Sequence, residues 1–365
     1  MKSLVIHIGH PKTGSSYLQS FLAINQDNLK NKNIYYPPPN KKDLNASIKG
    51  FVTSGNGSKF LDSKNELHFK FNKKGTTLYS DECFFYRLLT WKDFNNFFKK
   101  NASRLEVILY TRNLFECSIS DWGQLIKRHS LTEDINTYLI NSNTKRFKAL
   151  KEWLCASKEY NFDLKIRNYS NIKKNLLNVF CEDLNLGELK KINFKLPPVR
   201  NVNRSLTISE YEIIRVLNIV QPKINLADIL VNNAPEVKPE KILISRIAYE
   251  KVVSKNLKLI EEINSYLKES QKIAIESIEE VCIKDTTQNR SFLNQKQIEI
   301  TSNYLNNSFL KDEILYDSAD APILFKIARK IAFNRNSLSL NDSLEILKIC
   351  KKIRPQGLII MKEFR

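Results

Sequence analysis

At 365 residues the chain can form one large domain or two ordinary ones, and a hydrophobic content of 42% can build a substantial core. A net charge of +19 favours polyanionic partners, whether nucleic acid, anionic membrane, acidic glycan or phosphate-rich cofactor, although abundant Lys, Asn and Ile would also follow from a biased genome. The six cysteines (83, 117, 155, 181, 282 and 350) include no C-x-x-C pair, which argues against a zinc or dithiol centre, and no stretch reaches the length of a membrane span.

In chain order, Leu4 to Ile8 is a short apolar run ending at Gly9 and reads as a buried parallel strand. The run is too short for a signal sequence, so a reduced, cytoplasmic protein is expected. The next residues, G-H-P-K-T-G-S-S (9–16), keep the glycine spacing and final hydroxyl of G-x-x-x-x-G-K-[ST], but Ser15 stands where the lysine belongs and Lys12 lies inside the loop. Tyr17, Leu18, Phe21 and Leu22 then recur at helical spacing, predicting a helix over 15–24. Strand, glycine turn and helix are the context such a loop requires, since its backbone N–H groups and the helix N-terminus bind phosphate oxygens. A Mg-nucleotide site is weakened by the displaced lysine. The nearest approach to a metal-binding carboxylate is Asp81-Glu82.

Residues 25–77, with Pro37-Pro38-Pro39, read mainly as loop. Further strands are predicted at Thr76–Ser80, Leu105–Thr111 and Phe162–Tyr169, with helices through Phe115, Ile119, Trp122 and Ile126 and over 144–159. Strands alternating with helices predict an α/β, P-loop-like three-layer fold with a central parallel sheet, plus a helical C-terminal region. From about 207 the pattern is helical, with Leu257, Ile260, Ile263, Leu267, Ile275 and Ile278 at helix-compatible spacing. One or two more helices are predicted over 322–352. Linker candidates at 232–240 and 317–322 suggest a domain over 1–318 and a helical tail over 319–365.

The run I-G-H-P-K-T-G-S-S-Y-L-Q resembles the 5′-phosphosulfate loop of sulfotransferases that use 3′-phosphoadenosine-5′-phosphosulfate (PAPS). V-I-L-Y-T-R-N-L-F-E-C-S-I-S-D-W resembles that family's 3′-phosphate segment, with Arg112 ending a strand and Ser120 eight residues on. An arginine at a strand end offers a planar fork to a phosphate. Weaker likenesses are N-I-Y-Y-P (33–37), Q-I-E-I-T-S-N-Y-L-N-N-S-F-L (297–310) and N-R-S-L-T-I-S-E-Y (203–211). The last would bring Arg200, Asn203 and Ser205 to the cofactor, or simply start a helix capped by Thr207 or Ser209.

The resemblance implies a PAPS-dependent sulfotransferase, closest to bacterial carbohydrate sulfotransferases, with no metal required. Pro11, Lys12, Thr13, Gly14, Ser15 and Ser16 would hold the 5′-phosphosulfate, and Lys12 would neutralise the leaving group. Glu82 is the first choice of general base, ahead of Asp81. His10 lies in the loop and either faces the acceptor or hydrogen-bonds locally, His7 reads as a core residue, and His68 stays open. The implied acceptor is a hydroxyl of a carbohydrate or glycan, with 38–75 shaping its choice. Tyr35, Tyr36, Phe51, Phe69 and Trp91 could stack on sugar rings, although packing suits each of them better. No nucleic-acid motif is present. The tail is open to domain docking, oligomerisation or peripheral membrane contact. The alternatives are a kinase or hydrolase using Mg-ATP, and a non-catalytic polyanion-binding protein.

Overall fold

The structure, a computed structural model, describes residues 2–10, 12–49, 55–57, 75–82, 84–87, 95–96, 98–99, 102–187, 193–198, 204–220, 224–283 and 293–309. Pro11, Phe51, His68, Phe69, Trp91, Arg200, Asn203, the linker at 317–322 and the helices and tail beyond it lie outside the described residues.

Among the described residues, five strands form one parallel sheet: β1 (Lys2–Gly9), β2 (Ile34–Tyr35), β3 (Gly75–Ser80), β4 (Arg104–Thr111) and β5 (Asp163–Asn168), in the order β2-β3-β1-β4-β5. β1 is central because it is apolar on both faces. Leu4, Ile6 and Ile8 are buried on one side and Val5 and His7 on the other. The chain runs from β1 outward to β2, back through β3, and then across to β4 and β5. β1 and β3 are therefore neighbours at the point where the winding reverses, the place where open α/β sheets bind ligands beyond the strand C-termini.

The helices, in chain order, are α1 (Ser15–Ile24), α2 (Gln26–Asn31), α3 (Lys41–Ile48), α4 (Phe84–Arg87), α5 (Leu114–His129), α6 (Ile135–Asn141), α7 (Lys145–Glu159), α8 (Tyr169–Ile172), α9 (Leu176–Asp183), α10 (Ile208–Val220), α11 (Leu226–Asn233), α12 (Arg246–Asn264), α13 (Ile278–Val281) and α14 (Gln295–Phe309). Leu18, Phe21 and Leu22 of α1 and Leu176, Leu177 and Phe180 of α9 pack on Val5, Leu78, Ile108 and Tyr110. Fully burying each such side chain contributes about 1.5–3 kcal/mol. The other sheet face, set by the two-residue period, carries α7 and α4, joined where the Trp153 indole N–H donates to the Phe85 carbonyl at 3.4 Å. Helices on both faces of a parallel sheet make the three-layer α/β fold that the alternation of elements predicts.

The chain divides into two compact units. The first holds Met1–Ser118, Leu139–Arg200 and Ile247–Glu280, and the second holds Ile119–Tyr138, Asn201–Arg246 and Val281–Arg365. The sheet belongs to the first. The second has its own core, built on Trp122, Ile126, Tyr211, Ile214, Leu217, Leu230, Leu293 and Ile298. Within it, Thr207 and Glu210 form a reciprocal capping box at the start of α10: Glu210 Oε2 accepts the Thr207 N–H at 2.8 Å, and Thr207 Oγ1 accepts the Glu210 N–H at 3.2 Å. Of the two helix-start candidates in 203–211, Thr207 is thus the cap.

Two expectations are corrected. The stretch 25–77 is not mainly loop where it is described, since α2, β2 and α3 fall within it. α3 starts directly after the three prolines because Asn40 Oδ1 caps it by accepting the Asp43 N–H at 2.9 Å. The helical spacing through Ile275 and Ile278 does not mark one helix, because α12 stops at Asn264. The Asn264 side chain turns back on Ile273, donating to its carbonyl at 2.9 Å and accepting its N–H at 2.8 Å. This pairing holds residues 272–277 out of the helix and lets Ile273 reach the core. Among the described residues no helix is long and apolar enough to cross a membrane.

Candidate functional site

The loop after β1 is shaped by two left-handed residues. His10 still pairs as a strand, its N–H donating to the Tyr110 carbonyl at 2.9 Å. Lys12 (φ 69°) and Gly14 (φ 82°) then reverse the chain, and α1 begins at Ser15. Gly14 needs to be glycine twice over. Its φ disfavours side chains, and a Cβ there would stand 3.2 Å from the Tyr169 ring and closer still to Leu176. Thr13 is buried, and its hydroxyl donates to the His10 carbonyl at 2.8 Å. Thr13 therefore braces the loop from within, while Ser15 and Ser16 open α1.

Glu82 follows β3 and turns its carboxylate onto this loop. Ser15 Oγ donates to Glu82 Oε1, and the Lys12 backbone N–H is a further donor to the same carboxylate. Burial raises the pKa of Glu82. The Ser15 hydrogen bond, the Lys12 ammonium and the Lys12 N–H offset only part of that rise. Asp81 points elsewhere: it is buried, acts electrostatically on Tyr36, and lies against Gly57. Of these adjacent carboxylates, which follow the end of β3, Glu82 meets the loop and Asp81 lies against Gly57.

Arg112 follows β4, and its guanidinium reaches the same loop, Nη1 donating to the Lys12 carbonyl at 2.9 Å. Its Nε pairs with Glu116 Oε2 at 3.2 Å, and its guanidinium carbon stands 5.4 Å from the centre of the Tyr169 ring. Glu116 also accepts from Ser170 Oγ at 2.9 Å and pairs with Lys173 at 3.4 Å. Burial opposes ionisation of Glu116, but the Arg112 charge, the Ser170 and Arg112 hydrogen bonds and Lys173 outweigh it and hold the carboxyl below its ordinary range. The first turn of α5 is fixed by Glu276, whose carboxylate accepts the N–H groups of Phe115 at 2.9 Å and Glu116 at 2.8 Å. Ser170, Lys173, Glu116 and Glu276 are absent from the sequence-based residue set. Glu116 alone carried a readable signal, its position four residues after Arg112 in a helix.

Of the remaining candidates, His10 and His7 turn Nδ1 to partners outside the Lys12–Ser15–Glu82–Arg112 group. His10 is fully buried between the Phe85 and Phe147 rings, with Nδ1 3.5 Å from Cys117 Sγ. Burial, and then the charges of Arg146 and Arg112, hold its pKa well below the usual imidazole value. His7 is likewise buried, its Nδ1 2.8 Å from Ser80 Oγ, in keeping with a core role. Ser120 is half-buried on α5, in the part assigned to the second unit, and Ser205 is exposed in the same unit. Tyr36 is buried and Tyr35 half-buried.

The site can do three things chemically. The loop can bind an anionic oxygen, as it does the Glu82 carboxylate through Ser15 and Lys12, and the N-terminus of α1 that follows favours negative charge. Lys12 and Arg112 can stabilise negative charge, and Glu82 can exchange a proton. A scan against models of protein families finds no match for this chain, and a search of curated proteins finds none either.

Proposed function

We propose that this chain is a sulfotransferase that moves a sulfuryl group from PAPS to a hydroxyl group of a carbohydrate or glycan. What carries the reading is the convergence of two separated segments on one loop. Lys12 lies within it, Glu82 follows the strand on one side, and Arg112 follows the strand on the other. Both segments that resemble the family, 8–19 and 107–122, contribute to that convergence.

In the proposed reaction the acceptor oxygen forms a bond to sulfur while the bond from sulfur to the bridging phosphate oxygen breaks. The acceptor proton passes to the Glu82 carboxylate, and adenosine 3′,5′-bisphosphate (PAP) leaves. The raised pKa of Glu82 suits it to hold that proton. The loop N–H groups and the Ser15 and Ser16 hydroxyls hold the 5′-phosphate. Lys12 stabilises charge on the leaving oxygen, and Arg112 binds the 3′-phosphate.

One contact favours a second reading. In Mg-nucleotide enzymes a loop hydroxyl and a carboxylate share the metal, and Ser15 and Glu82 are such a pair. Against it, Ser15 occupies the lysine position of that loop, and the hydroxyl in the metal position is Ser16. Calorimetric titration separates the two. The sulfotransferase reading expects PAP to bind in EDTA and ATP with Mg²⁺ to bind weakly. Binding of Mg-ATP with no response to PAP would replace it with the nucleotide reading.

A further inference from the structure

The anion seat of the loop already has an occupant. A carboxylate presents two oxygens much as a phosphate edge does, and the one on Glu82 takes the Ser15 hydroxyl and the Lys12 N–H, the donors such a loop offers its ligand. The backbone that carries it is held on both sides. The Asp81 N–H donates to the His7 carbonyl at 3.1 Å, and the Glu82 carbonyl accepts the Phe85 N–H at 3.1 Å. The side chain can therefore leave the seat by rotation while the strand end stays in place.

We propose that Glu82 is an internal competitor of the ligand: in the unliganded protein its carboxylate plugs the anion seat, and a phosphate enters only by displacing it. The proposal rests on the reading of 9–16 as an anion-binding loop and not on the sulfuryl chemistry. Displacement has a functional consequence. A carboxylate in the seat is tied to the loop, whereas a displaced one is released beside the bound donor, where an acceptor hydroxyl must lose its proton. The base is then available only once the donor is seated, and after it has passed the acceptor proton on to water the returning carboxylate helps to expel the bisphosphate product.

Two variants test this. Glu82→Gln keeps the shape and removes the charge, and Glu82→Ala vacates the seat. Each is titrated calorimetrically in EDTA with PAP and with inorganic pyrophosphate, and thermal unfolding is recorded to show that the variants are folded. Loss of a like charge from the seat should tighten binding of both anions by about tenfold or more, with Ala at least equal to Gln. Unchanged or weaker binding of both anions in folded variants overturns the proposal, as does the absence of any binding to wild type and variants alike. Tighter pyrophosphate binding with no PAP binding in any form upholds the plug and rejects the sulfotransferase reading. Unchanged metal-free affinities together with loss of Mg-ATP binding would make Glu82 a metal partner and overturn the plug.

Discussion

Arg112 stands where two demands meet, since one guanidinium nitrogen braces the loop at Lys12 and another is neutralised by Glu116. For Arg112 to take a phosphate, Glu116 must give up part of its hold, and Ser170 and Lys173 remain to receive the displaced carboxylate. Arg112→Ala should therefore weaken PAP about 10- to 100-fold. Adenosine 5′-phosphosulfate, which has no 3′-phosphate, should lose less. Equal losses in paired titrations would confine Arg112 to bracing the loop. His7 gives a second prediction at this scale. Burial in β1 lowers its pKa from 6.5 to about 3, so the fold favours the neutral ring. The unfolded chain binds the proton first, and the associated stability is fully present above about pH 6.5 and is lost as pH falls toward 3. At pH 5 the loss from His7 alone is about 2 kcal/mol. Gln at this position cannot titrate, so His7→Gln should lose that much less between pH 7.5 and 5 in denaturant melts. Parallel losses in the two proteins would show that His7 does not contribute to the acid sensitivity.

Among elements, β3 shows how a site residue depends on an unobtrusive support. Among the described residues, the edge strand β2 pairs with Thr76 and Thr77 of β3. Asn56 takes over where β2 stops. Fully buried, it donates through Nδ2 to the carbonyls of Pro37 at 2.9 Å and Leu78 at 3.2 Å, and its Oδ1 accepts the Ser80 N–H at 2.8 Å. Asn56→Ala would strand these backbone groups and should cost about 3 kcal/mol. The end of β3 positions Glu82, so PAP affinity should change as well. A variant with wild-type melting and wild-type affinity would refute this role. Nothing in the sequence marks Asn56, because its partners lie 19 to 24 residues away and none has a distinctive type. The two-residue strand Ile34–Tyr35 is too short to show a period, so it too is invisible before folding. The unit β1-loop-α1 was legible because its apolar run, glycines and helical spacing are contiguous. The preference for Glu82 over Asp81 comes from the family resemblance and from no local pattern, since it depends on which way each side chain leaves the strand end. Glu276 reaches α5 from about 160 residues away, through a pairing that no local pattern encodes.

At the scale of the whole molecule, the excess of 58 basic over 39 acidic residues gives the net charge of +19. Part of the described charge is already paired, as in Lys165 with Glu106 at 2.7 Å and Lys151 with Glu262 at 2.6 Å. The site itself holds its own carboxylates, Glu82 and Glu116, against its cations. The field that an approaching anion meets therefore comes from the surplus over the whole surface more than from a bare cationic pocket. Such a field acts on encounter and is screened over about 10 Å at 0.1 M salt. Two phosphate monoesters give PAP about −3 to −4 charge near neutral pH. Its association rate should fall by about tenfold between 20 and 300 mM salt, while dissociation, set by short contacts inside the loop, should change far less. Stopped-flow binding at several salt concentrations measures both rates. A rate of association indifferent to salt would show that the surplus charge plays no part in bringing the ligand in. A dissociation rate that instead carries the salt dependence would place the dominant electrostatics in the bound complex, at Lys12 and Arg112 themselves.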